Sequence, residues 1–443
     1  MYRRLFALFV VVATVLMLVA PATAQEEEVV INWWSHWANE PNKREVIETF
    51  AAEYMEAHPN VTINLEWWDK QELYQALRST FTAGEGFPDI FTMDPTDPGA
   101  DFVSAGWVLD LDPYVDWETQ LVPAGVDNYR YPALGVEGTY GIAVEYIIDN
   151  IIFYNKGIFE ELGIEVPEDY TYTFDEWKEV MQTCKDGGYA PLADAIGNRT
   201  YPGRWPFQQA LMAYAGPEGY GQYLQGVKNW DTPEVRRALE THIELSAIPV
   251  WPEAFATMTI DEFHAYFNNQ EAACAMYLAT WYTGRAFKSP DEGGQSADFD
   301  QRLGMLRPIE YPDAEYNNVG IGLIGSGYAA AAQSAAPDVA GDILSTLATP
   351  KYGALWVGMT ASPTAIVYDA ADVESEYGWY FDILNTVYDP EIVTVAAPNV
   401  VPACGEIETV ITEVINEGIP LGVITDVDEA IALLNEGLCE GAE

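Results

Sequence analysis

Apolar positions along this chain recur with two different periods, and the two take turns. Residues 29–34 read as a buried strand, while 39–58 carries its apolar side chains at helical spacing and stops before Pro59. Residues 61–68 alternate apolar and polar as a half-buried strand does, and 71–83 return to helical spacing. Residues 84–88 then supply a turn into a third strand at 89–93. Strands alternating with helices predict parallel pairing through helical crossovers, so the expected fold class is α/β. Open sheets of that class gather ligands outside the carboxyl ends of their strands. Here the first strand runs into Trp34, Ser35, His36 and Trp37, and the third into Asp94, Pro95, Thr96 and Asp97.

Helical spacing resumes at 174–185, 205–214 and 233–245, the last after an Asp231-Thr232 cap. Strand-like segments reappear at 273–278 and 302–307, and helices are expected at 338–347 and 407–415. The glycine-rich stretch 320–327 lies outside the strand–turn–helix setting of a dinucleotide site and reads as a turn-bounded strand. No repeat and no low-complexity linker divides the chain, so two lobes, if present, are interleaved along it.

The first residues change the picture. Arg3 and Arg4, an apolar run over 5–20 and the triplet Ala22-Thr23-Ala24 have the layout of a secretory signal peptide cleaved before Gln25. The run is shorter than the ~20 residues of a membrane-spanning helix; an uncleaved anchor is the alternative. Gln25 is not a cysteine, so no lipid anchor is expected there, and the mature chain is expected outside the cytoplasm, in a periplasm or at the outer face of the cell membrane. Charge narrows the partners: 69 acidic side chains against 20 basic give a formal −49. Such a surface repels nucleic acid, phosphorylated ligands and anionic lipid, and favours neutral or cationic ligands; solubility or a salty habitat accounts for the acidity equally well.

Candidate chemistry is aromatic and carboxylic. The chain holds 14 tryptophans and 27 tyrosines, and Trp33, Trp34, Trp37, Tyr201, Trp205, Trp281, Tyr282 and Tyr328 lie near turn residues. Flat rings suit the apolar faces of sugars, and Asp94, Asp97, Glu145 and Arg204 would meet their hydroxyls. For Trp67, Trp68, Trp107, Trp177 and Trp356 core packing is the simpler expectation, and Trp33 leans the same way. An acidic loop of Asp94, Asp97 and Asp101 would suit calcium, but it lacks the glycine and terminal glutamate of an EF-hand loop. His36, His58, His242 and His264 show no metal-ligand spacing, and no Walker A, G-x-S-x-G or H-E-x-x-H motif occurs. No cofactor, metal or catalytic residue is therefore expected. Four cysteines, Cys184, Cys274, Cys404 and Cys439, allow three disulfide connectivities; buried free thiols are the alternative.

Five stretches then resemble one family in order along the chain. They are GEGFPDIFTMD, YGIAVEYIIDNIIFYNKGIFEELGI, TFDEWKEVMQTCKDGG, FNNQEAACAMYLATW and GSGYAAAAQSAAPDVAGDILSTLATPKYGALWV. Together they resemble the family 1 extracellular solute-binding proteins, above all the maltodextrin and other oligosaccharide binders. The resemblance implies a two-lobed periplasmic-binding-protein-like fold of type II, with three hinge crossings near Glu145, Arg307 and Thr364. One lobe would comprise 25–144 and 308–363, the other 145–307 and 364–443, after a signal peptide at 1–24. Cys184–Cys274 and Cys404–Cys439 are the preferred pairs, because each then lies within one lobe.

Carried over by motif, Asp97 and Glu145 would accept sugar hydroxyls, Trp205 and Trp281 would stack on rings, and Arg204 would donate. Trp37 and its neighbours Trp34 and His36 would complete the site with Asp94, Tyr201, Tyr282 and Tyr328. The implied partners are a carbohydrate ligand and the transmembrane permease of an ABC importer, with the protein acting as a monomer. Extra residues between Glu145 and the YNK tyrosine, and Cys404 where relatives place an aromatic, depart from the family pattern. A binder of cationic or peptide solutes and a secreted carbohydrate-active enzyme are the competing readings.

Overall fold

The computed structural model describes residues 28–197, 204–268, 272–283, 299–317, 319–375, 377–387, 393–396 and 406–442. The expected signal peptide lies outside them. Among the described residues the strands form three sheets. The first has the order β2-β1-β3-β11-β4, with β1 at Val29–Ser35, β2 at Val61–Trp67, β3 at Ile90–Met93, β4 at Ile142–Ala143 and β11 at Gly327–Ala330. The second has the order β7-β8-β6-β9, with β6 at Ile151–Asn155, β7 at Ala190–Leu192, β8 at Ala273–Leu278 and β9 at Leu303–Leu306. Between them β12 (Val393–Ala396), β10 (Val319–Ile324) and β5 (Tyr146–Asp149) make a third.

Local sequence explains these elements. β2 is an edge strand and alternates, with Val61 and Ile63 buried while Thr62 and Asn64 face water. β3 is interior, and all four of its residues are buried. The helix Lys70–Ala83 starts where the Asp69 carboxylate accepts from the Gln71 N–H (2.9 Å), and it ends at Gly84 with φ 74°. Its Leu73, Leu77 and Phe81 recur every fourth position and are buried. A Thr173–Glu176 capping box opens the helix Phe174–Asp186.

Two hydrophobic cores divide the chain. One gathers Ile31 to Val144 with Ile324 to Val357 and Ala365; the other gathers Ile151 to Ile321 with Ala361 and Tyr380 to Leu434. The protein is a two-domain α/β structure, and the chain passes more than once between its lobes. The second passage differs from the expectation near Arg307. Ile309 and Tyr311 bury in the lobe-two core, the Ile309 N–H donates to Gln209 Oε1 (2.9 Å), and β10 pairs antiparallel with β5. The chain therefore returns to lobe one only after Ile324. Near Thr364 the chain touches both cores: Ala361 buries in the lobe-two core, Ala365 buries in the lobe-one core with Ile366 bridged to Leu121, and the chain is again in the lobe-two core from Tyr380.

The pairing fixes where the lobes meet. β1 runs parallel to β2 and β3, so Ser35, Trp67 and Met93 share one edge. β11 runs the other way, and its Gly327 sits beside both Met93 and Ala143. A Cβ on Gly327 would run into the Ile142 carbonyl, so only glycine fits this close approach. In lobe two β7 and β8 are parallel, and β6 begins at Ile151 beside Leu278. Both passages at 144–146 and 325–326 thus leave from the carboxyl edges of the parallel strands, and those edges face the junction.

Candidate functional site

On the lobe-one edge the ends of β1 and β3 bring three expected residues together. Asp94 holds the centre: its Oδ2 is 2.6 Å from Lys70 Nζ, and its Oδ1 accepts from the Ser326 hydroxyl at 2.6 Å. Lys70 is the first residue of its helix, which projects it back over the strand ends. His36 Nδ1 lies 3.3 Å from the Thr92 hydroxyl and its Nε2 3.5 Å from Ser326 Oγ. Trp34 is half-buried, with its ring 4.9 Å from that of Trp68 at 41°. The edge therefore pairs an aromatic corner with a compact polar cluster in which one ammonium already balances one carboxylate.

Glu145 occupies a different position from the one the resemblance implies. It is 3% exposed, and its Oε1 is 2.5 Å from the ammonium of Lys43, which also touches Glu40 at 2.6 Å. Its Oε2 accepts from the Ser326 N–H at 3.3 Å. Burial alone would lower the Lys43 pKa, but Glu145 and Glu40 overcome it and hold the ammonium above its ordinary value. Burial, with Glu40 adding to it, pushes the Glu145 carboxyl up against the pull of Lys43. A carboxylate so engaged has little left to offer a ligand.

Three further expectations are corrected by burial. Trp37 is 1% exposed, with its ring between Tyr328 (5.4 Å) and Trp356 (4.9 Å). Tyr328 is fully buried, and its hydroxyl meets Ser35 Oγ at 2.8 Å. Tyr282 is fully buried too and donates to the Asn268 side chain. These rings support the edges from inside the cores and present no free face for stacking. Trp281, at the end of β8, is only half-buried and stands 5.8 Å from the His264 ring. Tyr201 and the side chains of Asp97, Arg204 and Trp205 lie outside the described residues.

Sequence reasoning missed Lys70, Ser326 and Lys43; Trp68, expected in core packing, does pack against the lobe-one core while staying partly exposed beside Trp34. Also missed was Asn150, a buried residue at φ 60° where the chain enters lobe two, whose side-chain amide has no hydrogen-bond partner. Asp101 pairs with Arg78 at 2.9 Å, away from Asp94, and the described residues contain no cluster of three or more metal-ligating side chains. No helix among them is long and apolar enough to cross a membrane. In lobe two Cys184 and Cys274 are joined by a disulfide. Cys439 is also disulfide-bonded, and its expected partner Cys404 lies outside the described residues.

The sequence model of the bacterial extracellular solute-binding proteins matches residues 37–354, the greater part of the chain. The chain belongs to this family. Among curated members it is 29% identical over 288 residues, 63% of its length, to a maltotriose-binding protein of Pyrococcus abyssi. It spans about half the length of the curated relatives it matches, 54% and 55% of the first two. Two solved structures share the solute-binding fold over nearly the whole chain. One, from work on xylan utilization by the thermophilic bacterium Caldanaerobius polysaccharolyticus, superposes with a TM-score of 0.77 at 21% identity, covering 93% of this chain and 100% of its own. The other, a chitin oligosaccharide binding protein, gives 0.75 at 16% identity, covering 92% and 97%.

Proposed function

We propose that the protein is the exported solute-binding subunit of an ABC importer, and that it takes an oligosaccharide in a cleft between its lobes. The observation that carries this reading is the lobe-one edge. A partly exposed Trp34–Trp68 corner stands beside Asp94, Lys70, Ser326 and His36, and the half-buried Trp281 stands on the carboxyl edge of the other lobe. Rings take the C–H faces of a sugar, and a carboxylate and an ammonium take its hydroxyls. A cationic solute fits less well, because Lys70 already neutralises Asp94. The relatives named for maltotriose and chitin oligosaccharide, and the structure from xylan work, support the same ligand class. In this reading the signal peptide is cleaved before Gln25, the monomer binds without chemistry, and a closed form delivers the ligand to a membrane permease.

Thermal shift against malto-, xylo- and chito-oligosaccharides, polyamines and short peptides tests the proposal. One sugar class should raise the melting temperature; at a hundred times Kd the stabilisation is about 2.7 kcal/mol. Chromatography should then return that sugar uncut. A response confined to polyamines or peptides would overturn the carbohydrate reading, and a shortened sugar would overturn the claim of binding without chemistry.

A further inference from the structure

Glu145 stands where the passages between the lobes meet. Its N–H donates to the Ser326 carbonyl at 3.2 Å, and its own carbonyl accepts from the Gly325 N–H at 3.1 Å. Its backbone also bridges Thr364, whose hydroxyl donates to the Val144 carbonyl at 2.5 Å. The next residue, Tyr146, donates its N–H to the Pro363 carbonyl at 3.1 Å. The backbone at Glu145 is therefore tied to two other stretches of chain at once, 325–326 and 363–364.

That side chain turns into lobe one. Lys43, in the first turn of the helix Pro41–Ala57, is 1% exposed and meets both Glu145 and Glu40. The rings of Trp37 and Trp356 lie 5.7 and 5.9 Å from its ammonium. This ammonium has exchanged its water for two carboxylates and two aromatic faces, so its energy rises sharply if any of them moves. A solvent-exposed pair would let the hinge swing at little cost; a buried pair of this kind resists it.

We propose that Lys43 and Glu145 form a hinge pin that sets the resting angle between the lobes. Glu145 is thereby a positioning residue and not a ligand acceptor. Ser326 shows how closely the two jobs lie together: its N–H goes to Glu145 and its hydroxyl to Asp94. The pin shapes the cleft through the hinge, while Asp94 meets the ligand.

The test reads the lobes without any ligand. Spin labels on cysteines introduced by Glu56→Cys in lobe one and Glu160→Cys in lobe two, both exposed positions, report the interlobe distance by pulsed electron spin resonance. In the Lys43→Met, Glu145→Gln double variant, which keeps the shapes and removes both charges, the distribution should broaden or shift from that of the parent. In Asp94→Asn it should not. A folded double variant whose distribution superposes on the parent's overturns the proposal, and so does an equal shift in Asp94→Asn. If the double variant loses its near-ultraviolet circular dichroism, Glu145→Gln alone, which leaves Lys43 with Glu40, gives the same readout. Failure of both to fold would assign the pair to folding and overturn the pin. Since no sugar enters these measurements, they stand even if the carbohydrate reading falls.

Discussion

Acid should weaken this protein through a single histidine before it protonates most carboxylates. His242, on the helix Pro233–Ala247, is 1% exposed, and its Nε2 lies 3.0 Å from the Ile415 carbonyl. Nε2–H donates there, which leaves Nδ1 as a buried lone pair with no hydrogen-bond partner, near the Phe207 ring. A proton on Nδ1 would bury both a charge and an unpaired donor. Burial accordingly lowers the pKa from 6.5 to about 4, against the opposing pull of the Ile415 carbonyl. The folded value lies below the unfolded one, so as pH falls the unfolded chain takes the proton first. The stabilisation is whole above about pH 6.5 and is lost on the way down to about pH 4. A gap of about 2.5 units is worth about 3.4 kcal/mol, and about 2 kcal/mol of it is gone by pH 5. Urea unfolding of the parent and of His242→Gln, which keeps a donor for Ile415 but does not titrate, isolates this contribution from the carboxylates common to both. The stability gap between them should shrink by about 2 kcal/mol from pH 7.5 to pH 5. A gap that stays constant would refute the argument.

Three other outcomes are expected. Replacing Cys184 and Cys274 together by alanine opens a link between residues 90 apart, which should lower stability by about 4–5 kcal/mol on loop entropy; chemical denaturation measures it, and a loss under about 1 kcal/mol would argue against the entropic account. Trp281→Ala should weaken binding of whichever oligosaccharide stabilises the parent by about 1–3 kcal/mol, by calorimetry, with some cost in stability since the ring also packs beside His264; unchanged affinity in a folded variant removes it from the site. Thr173→Ala, which breaks the capping box at the start of Phe174–Asp186, should lower stability by about 1 kcal/mol and leave sugar binding as it was.

What the sequence disclosed followed from short-range physics. The period-two pattern at 61–68 and the helical pattern at 71–83 became β2 and the helix Lys70–Ala83 within a residue or so. Both strand ends rich in aromatics and acids do reach the lobe junction. What stayed hidden depended on partners distant in the chain. Trp37 and Tyr328 look like neighbours of a binding edge, and only the fold shows them packed on each other, with Trp37 also against Trp356. Lys43 reads as one more charge on a helical face, because its partner Glu145 lies 102 residues away. The glycine-rich stretch at 320–327 was legible as strand and turn, but not that its turn carries the passage between the lobes, since β10 and β11 pair in different sheets. The helix expected over 407–415 is α-helical only to Ile411, and the π-turns of Thr412–Gly418 follow it to place the Ile415 carbonyl against His242.

The position of β11 governs the order in which this chain can become a folded object. β11 lies between β3 and β4, hydrogen-bonded to both, yet it follows β4 only after most of lobe two has been traversed. Until that strand arrives, lobe one has two raw strand edges facing each other across a gap, and Ser35 lacks the Tyr328 hydroxyl it meets. A nascent or truncated chain ending before residue 327 is therefore an open sheet with unsatisfied backbone, the kind of surface that pairs with other chains. Lobe one is completed by its own carboxyl-terminal half. Fragments that stop short of β11 should be sticky and slow to settle, and the same peptide supplied in trans has a strand-shaped vacancy to fill.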